Sequence, residues 1–177
     1  MKLTLMIPRL PANLVAAAVG VTTLLSLSPA QADESVAVRH ALTLDGAKKV
    51  GDAAAAYARA NGASPSIAVV DESGFLLYFT RPEGSFAAGA SVSIGKAHTA
   101  AVFKKATKDF EDIINQGRFT MTALPDFTPL QGGVPIVHEG QIVGAIGVSG
   151  AKSAQQDEEV AKAGAAALAN VDKVAGK

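Results

Sequence analysis

Few side chains in this 177-residue chain are able to do chemistry, and their types narrow that chemistry quickly. There is no cysteine, which excludes disulfides, thiolate metal sites and cysteine nucleophiles. No H-E-x-x-H, G-x-S-x-G or P-loop pattern occurs. Three histidines remain, His40, His98 and His138. His98 lies in Ile94-Gly-Lys-Ala-His-Thr-Ala-Ala-Val-Phe103 with small neighbours Gly95, Ala97, Ala100 and Ala101. Small residues leave room for a large flat ligand, and a neutral imidazole ligates metals. The competing reading is a solvated helix-surface histidine beside Lys96 and Lys105, and spacing alone favours it, since solvated helix faces are common. His138 ends a strand at a turn, where an exposed histidine is ordinary, and His40 reads as a solvated leader residue.

Other polar groups read as structural. Asp109, Glu111 and Asp112 suit a solvated helix face better than a metal site. Gly144-x-x-Gly147-x-x-Gly150 falls within and after a strand. That position argues for close packing or turning, since the dinucleotide pattern follows a strand and opens a helix. Nothing resembles an acid–base pair set up for turnover, and whether the chain is an enzyme stays open.

The elements that must position these residues follow from periodicity. Leu44, Ala47, Val50, Gly51, Ala54, Tyr57 and Ala58 recur at helical spacing and stop at Asn61-Gly62. Residues 66–70 and 75–80 form a first hairpin around Asp71-Glu-Ser-Gly74. A loop over 82–90 precedes a helix from Ala90 to about Thr107, and a second short helix runs from Lys108 to Asn115. Residues 118–133, with Pro125, Pro129 and Gly132-Gly133, form the longest irregular stretch, a usual place for function. Residues 134–138 and 141–148 make a second hairpin around Glu139-Gly140. Ser153 caps a last helix, with Gln156 at capping-box spacing and Asp157, Glu158 and Glu159 suiting the helix dipole. Hairpins joined by helices predict an α+β domain. Its central antiparallel sheet has four or five strands with helices packed on it.

Composition bounds the partners. Lys+Arg and Asp+Glu balance at 16 each and the pI is about 6.8, which argues against nucleic acid. Residues 1–32 hold Lys2 and Arg9, no acid, an apolar run from Leu14 to Val21, and Ala30-Gln31-Ala32. That is the pattern of a secretory signal peptide, so a periplasmic or secreted protein without a membrane anchor after cleavage is expected. Removal leaves 14 basic residues against 16 acidic ones, a net charge of −2. Residues 33–42 read as a flexible leader and 43–177 as a single domain.

The stretch Ser93-Ile-Gly-Lys-Ala-His-Thr-Ala-Ala-Val-Phe103 resembles the Lys-Ala-x-Thr-Ala helix of the GlcG/HbpS-like family, also described as haem-degrading. Gly132-Gly133-Val-Pro-Ile136, Gly140, Val143-Gly144-Ala-Ile-Gly147-Val-Ser-Gly150 and Asp157 resemble its Gly-Gly-x-Pro-hairpin signature. The likeness covers residues 43–170 and extends to the C-terminal domain of PduO-type proteins. It implies a homo-oligomer that binds haem, or a corrinoid in some relatives. Without cysteine any haem is noncovalent. Thr99 matches the family threonine, with His98 at the variable position; Arg81 matches a basic residue after the second strand. Pro82-Glu83-Gly84 follows it where relatives carry Met-Asp-Gly, so the family's aspartate is a glutamate here. On this basis His98, or Thr99 through its hydroxyl, approaches the iron, Lys96 or Arg81 meets propionates, and Gly95, Ala101 and Phe103, with Phe86 or Phe127, supply walls. The expected function is haem sequestration or protection, with slow degradation. The alternative is an accessory or sensor domain that binds a small organic acid or corrinoid without haem.

Overall fold

A computed structural model describes residues 35, 37 and 39–169; the expected signal peptide, 1–32, lies outside them. By its internal contacts the chain divides into residues 1–37 and 38–177, and every described element belongs to the second unit. Helix α1 (Leu44–Ala60) begins where Thr43 Oγ1 accepts a 3.1 Å hydrogen bond from the Gly46 N–H. Leu42, just before this cap, is buried with Ala47 in the core, so the packed domain starts inside the segment read as a leader. An apolar residue before the cap that packs onto the first turn fixes the entry of the chain.

Strands β1 (Ser66–Asp71), β2 (Leu76–Thr80), β3 (Gly133–His138) and β4 (Gln141–Ser149) form one antiparallel sheet in the order β2-β1-β4-β3. Both hairpins stand as expected, and the sheet has four strands. Helices cover both faces. Ile67, Val69, Ile146 and Val148 pack with Val50 and Ala54 of α1 and with Val160 and Ala161 of α4 (Ala154–Ala169). Ala68, Val70 and Ala145, on the other face, pack with Ala97, Ala100 and Ala101 of α2 (Gly89–Val102). This second layer is thin because its residues are small. A Cβ on Gly147 would lie 2.0 Å from the Ser93 oxygen and 2.5 Å from the Ala97 nitrogen, so α2 rests on the backbone of β4.

The long helix expected to run to Thr107 ends at Val102. Phe103 closes it, Lys104 turns left-handed (φ 54), and α3 (Thr107–Asn115) starts afresh. Phe103 then turns into a three-ring cluster with Phe110 and Phe127, with centroids 5.1 to 5.4 Å apart. Tertiary packing of aromatics overrides helical propensity here. A 3₁₀ turn (Phe119–Ala123) and the segment 124–132 lead into β3.

Candidate functional site

Ser91, Ile94, Gly95 and His98 recur at the i, i+3, i+4, i+7 spacing that makes one stripe along α2. Across from this stripe stand Leu124, Asp126, Phe127 and Thr128, and the two sides enclose a cleft of about 570 Å³. That volume falls in the usual range for small-molecule sites.

The loop side is tied to the helix at two points. Thr99, fully buried, accepts a 2.8 Å hydrogen bond from the Thr128 N–H through Oγ1. Gly95 lets Thr128 lie directly on the helix, since a Cβ there would come within 2.3 Å of Thr128 Oγ1. Asp126 at the rim is left-handed (φ 52), a conformation that aspartate tolerates better than most residues. Phe127 connects the cleft wall to Phe103 and Phe110 behind it.

His98 is held from the sheet side. Its Nδ1 lies 3.2 Å from the Gly74 carbonyl oxygen. A carbonyl only accepts, so this bond places the proton on Nδ1 and leaves the Nε2 lone pair as the ring's free donor to a metal. Gly74 (φ +87) belongs to the β1–β2 turn, where a Cβ would stand 2.4 Å from that Nδ1. The same turn is built by Asp71, whose Oδ1 accepts from the N–H groups of Ser73 and Phe75 at 2.9 Å.

The remaining expected site residues are distributed unevenly. Phe103 backs the cleft through Phe127. Thr99 sits beneath the loop rather than open to the cleft. Lys96 points to the interior: it is 3% exposed, and its Nζ donates to the Val148 oxygen at 2.8 Å and to Asp157 Oδ2 at 3.0 Å. Arg81 follows the far end of β2, roughly 23 Å of extended chain from Gly74, and its Nη2 donates to the Ser85 oxygen. Phe86 packs near Gly89 and Gly150, away from the cleft. The structure thus brings His98, Gly95 and Phe127 together, with Phe103 behind them, and leaves Lys96 and Arg81 elsewhere. Sequence reasoning missed Leu124, Asp126 and Thr128, although their loop was already the longest irregular stretch, and it missed Gly74 of the β1–β2 turn.

The acidic residues have partners of their own. Asp157 Oδ1 also accepts from the Ala151 N–H, so this carboxylate is an interior anchor and more than decoration of a helix start. Asp112 pairs with Lys108 at 2.8 Å and Asp109 with Lys105 at 3.9 Å. Glu111 accepts from the Gln131 N–H at 2.7 Å.

The profile of a family described as "Haem degrading protein HbpS-like" matches residues 42–166. Protein GlcG of Escherichia coli K12 is 47% identical over 92 residues, 52% of this chain and 69% of that protein. The crystal structure of an HbpS double mutant from Streptomyces reticuli superposes with a TM-score of 0.71 at 32% identity, covering 89% of this chain and 99% of that one. A structure described as a PduOC–haem complex shares the fold, with a TM-score of 0.65 at 24% identity over 73% of this chain and 96% of that chain. With the match running from the first core residue, Leu42, well into α4, the chain belongs to the HbpS-like family.

Proposed function

We propose that the protein binds haem noncovalently in the cleft between α2 and the 124–128 loop, with His98 Nε2 as the ligand to iron. The observation that carries this reading is the Nδ1–Gly74 hydrogen bond, which orients the ring and selects the tautomer a metal needs. The family description and the haem complex of a protein with this fold support it. Haem, when bound, supplies its iron's own redox and oxygen chemistry. The chain's part is to hold it: Ile94 and Gly95 form one wall, Leu124 and Phe127 the other. Thr99 keeps the Thr128 end of the loop in place, and its hydroxyl reaches a ligand only if that loop withdraws.

The cleft lining contains Asp126 and His98 as its titratable groups and no Lys or Arg. Bound haem would therefore find no basic partner for its propionates in this lining. Phe75, Phe103, Phe119 and Leu124 are all exposed, and a homo-oligomer that covers them closes the open side of the site. With a signal peptide over 1–32, the protein works in the periplasm or outside the cell, sequestering haem. Any loss of bound haem under peroxide would be chemistry that the iron itself supplies.

Titration with haemin, followed at the Soret band, tests the assignment. The wild type is expected to saturate with a shifted band, and His98→Ala to lose at least about tenfold in affinity with an altered band. Thr99→Ala is expected to keep the band position and bind more weakly. An unshifted His98→Ala spectrum at wild-type affinity would remove the ligand assignment. A wild type indifferent to haemin would remove haem altogether and favour an accessory or sensor domain for a small organic acid or corrinoid.

A further inference from the structure

We propose a second metal site, separate from the haem cleft, formed by His40, His138 and Glu139 and suited to a divalent transition cation such as Zn²⁺. The three residues come from two distant parts of the chain. His40 lies in the segment that enters α1, His138 ends β3, and Glu139 opens the β3–β4 turn. One ligand atom from each lies within 4.8 Å of the others. His40 Nε2 is already 3.2 Å from Glu139 Oε2, and the two imidazoles meet edge to face at 5.4 Å. Ligands on a cation with bonds of about 2.0–2.2 Å stand roughly 3–3.5 Å apart, so small side-chain rotations complete the set.

Two further observations favour a built site over a chance surface ion pair. Glu139 is left-handed (φ 46) and Gly140 follows at φ 77, the backbone of a type I′ turn. That turn favours Asn-Gly, and glutamate is a poor choice at its first position. A side chain kept there against local preference points to a use for its carboxylate. Second, His40 and His138 also line a separate groove of about 350 Å³ with Leu42, Thr43, Lys49 and Val143. Three ligands beside such a groove leave coordination positions open to water or a small anion, as in 2-His-1-carboxylate sites. Two imidazoles select a borderline transition cation over Mg²⁺ or Ca²⁺, which prefer all-oxygen shells.

The test is titration of the metal-free full chain with Zn²⁺ alone by calorimetry, and with Co²⁺ by visible absorption. One ion per chain is expected, with Co²⁺ giving ligand-field bands. His40→Ala and His138→Ala should each weaken binding at least about tenfold and remove those bands. Glu139→Asn supplies the residue this turn prefers, so it should keep or raise the melting temperature while weakening the metal. His98→Ala should leave Zn²⁺ binding unchanged. Wild-type Zn²⁺ affinity in the His40, His138 and Glu139 variants would overturn the site. So would dependence of that binding on His98, or the absence of Zn²⁺ binding by the wild type.

Discussion

Lys96 Nζ stands 3.0 Å from Asp157 Oδ2 in the interior, so one ammonium joins α2 to the start of α4, helices that cover opposite faces of the sheet. The same nitrogen donates to the Val148 oxygen on β4. Gly132 makes room for the crossing, since a Cβ there would lie 2.9 Å from Nζ. Removing one partner of a buried pair strands the other charge, so Lys96→Met should cost about 3–5 kcal/mol in urea unfolding. Adding Asp157→Asn should restore much of that loss, because the amide oxygen still accepts from Ala151. A double variant that loses the sum of the Lys96→Met and Asp157→Asn losses would show no coupling between the two side chains.

Gly74 controls the orientation of His98. Gly74→Ala adds a Cβ 2.4 Å from Nδ1 and 3.1 Å from Val102 Cγ1, at a φ of +87. About 1–3 kcal/mol of stability should be lost. Haem affinity, measured well below the melting transition, should fall towards that of His98→Ala. A variant that melts lower yet binds haemin like the wild type would separate the turn from the ligand.

Glu158 predicts the acid limb of the stability curve. Burial alone raises its pKa, but hydrogen bonds from Lys162 and Gln131, with the Lys162 and Lys108 charges, outweigh that and hold it below the ordinary 4.5. A depressed carboxyl pKa contributes stability above its unfolded value, and the contribution disappears as pH falls through the folded value. Glu158→Gln should therefore cost about 1 kcal/mol near neutrality and flatten the loss of melting temperature below pH 4.5. Parallel acid limbs for the two proteins would contradict this.

Features with a local signal are legible in the sequence. Ser153 caps α4 as expected, its hydroxyl accepting from the Gln156 N–H at 3.1 Å, and the β-branched run at 66–70 is a strand. Packing at Gly147 also followed from its place inside a strand. Long-range pairing was not legible. Lys96 reads as a helix-surface cation until Asp157, 61 residues on, is seen to meet it. The break after Val102 carries no glycine or proline, because a lysine takes the left-handed position. His40 and His138 lie 98 positions apart, and only the fold makes them neighbours. Gln156 shows the limit of motif spacing: its Oε1 accepts from the Lys152 N–H at 2.9 Å, one residue before the cap.

The backbone contact between Gly147 and α2 makes the two sides of the cleft unequal as material for redesign. The helix side is set by atoms that cannot be shortened further, so changing it means rebuilding the domain. The opposite side is a run of five residues joined to the helix by one Thr128–Thr99 hydrogen bond and one threonine seated on Gly95. Ligand preference is therefore open to change by exchanging residues 124–126, with Phe127 kept for its packing on Phe103 and Phe110.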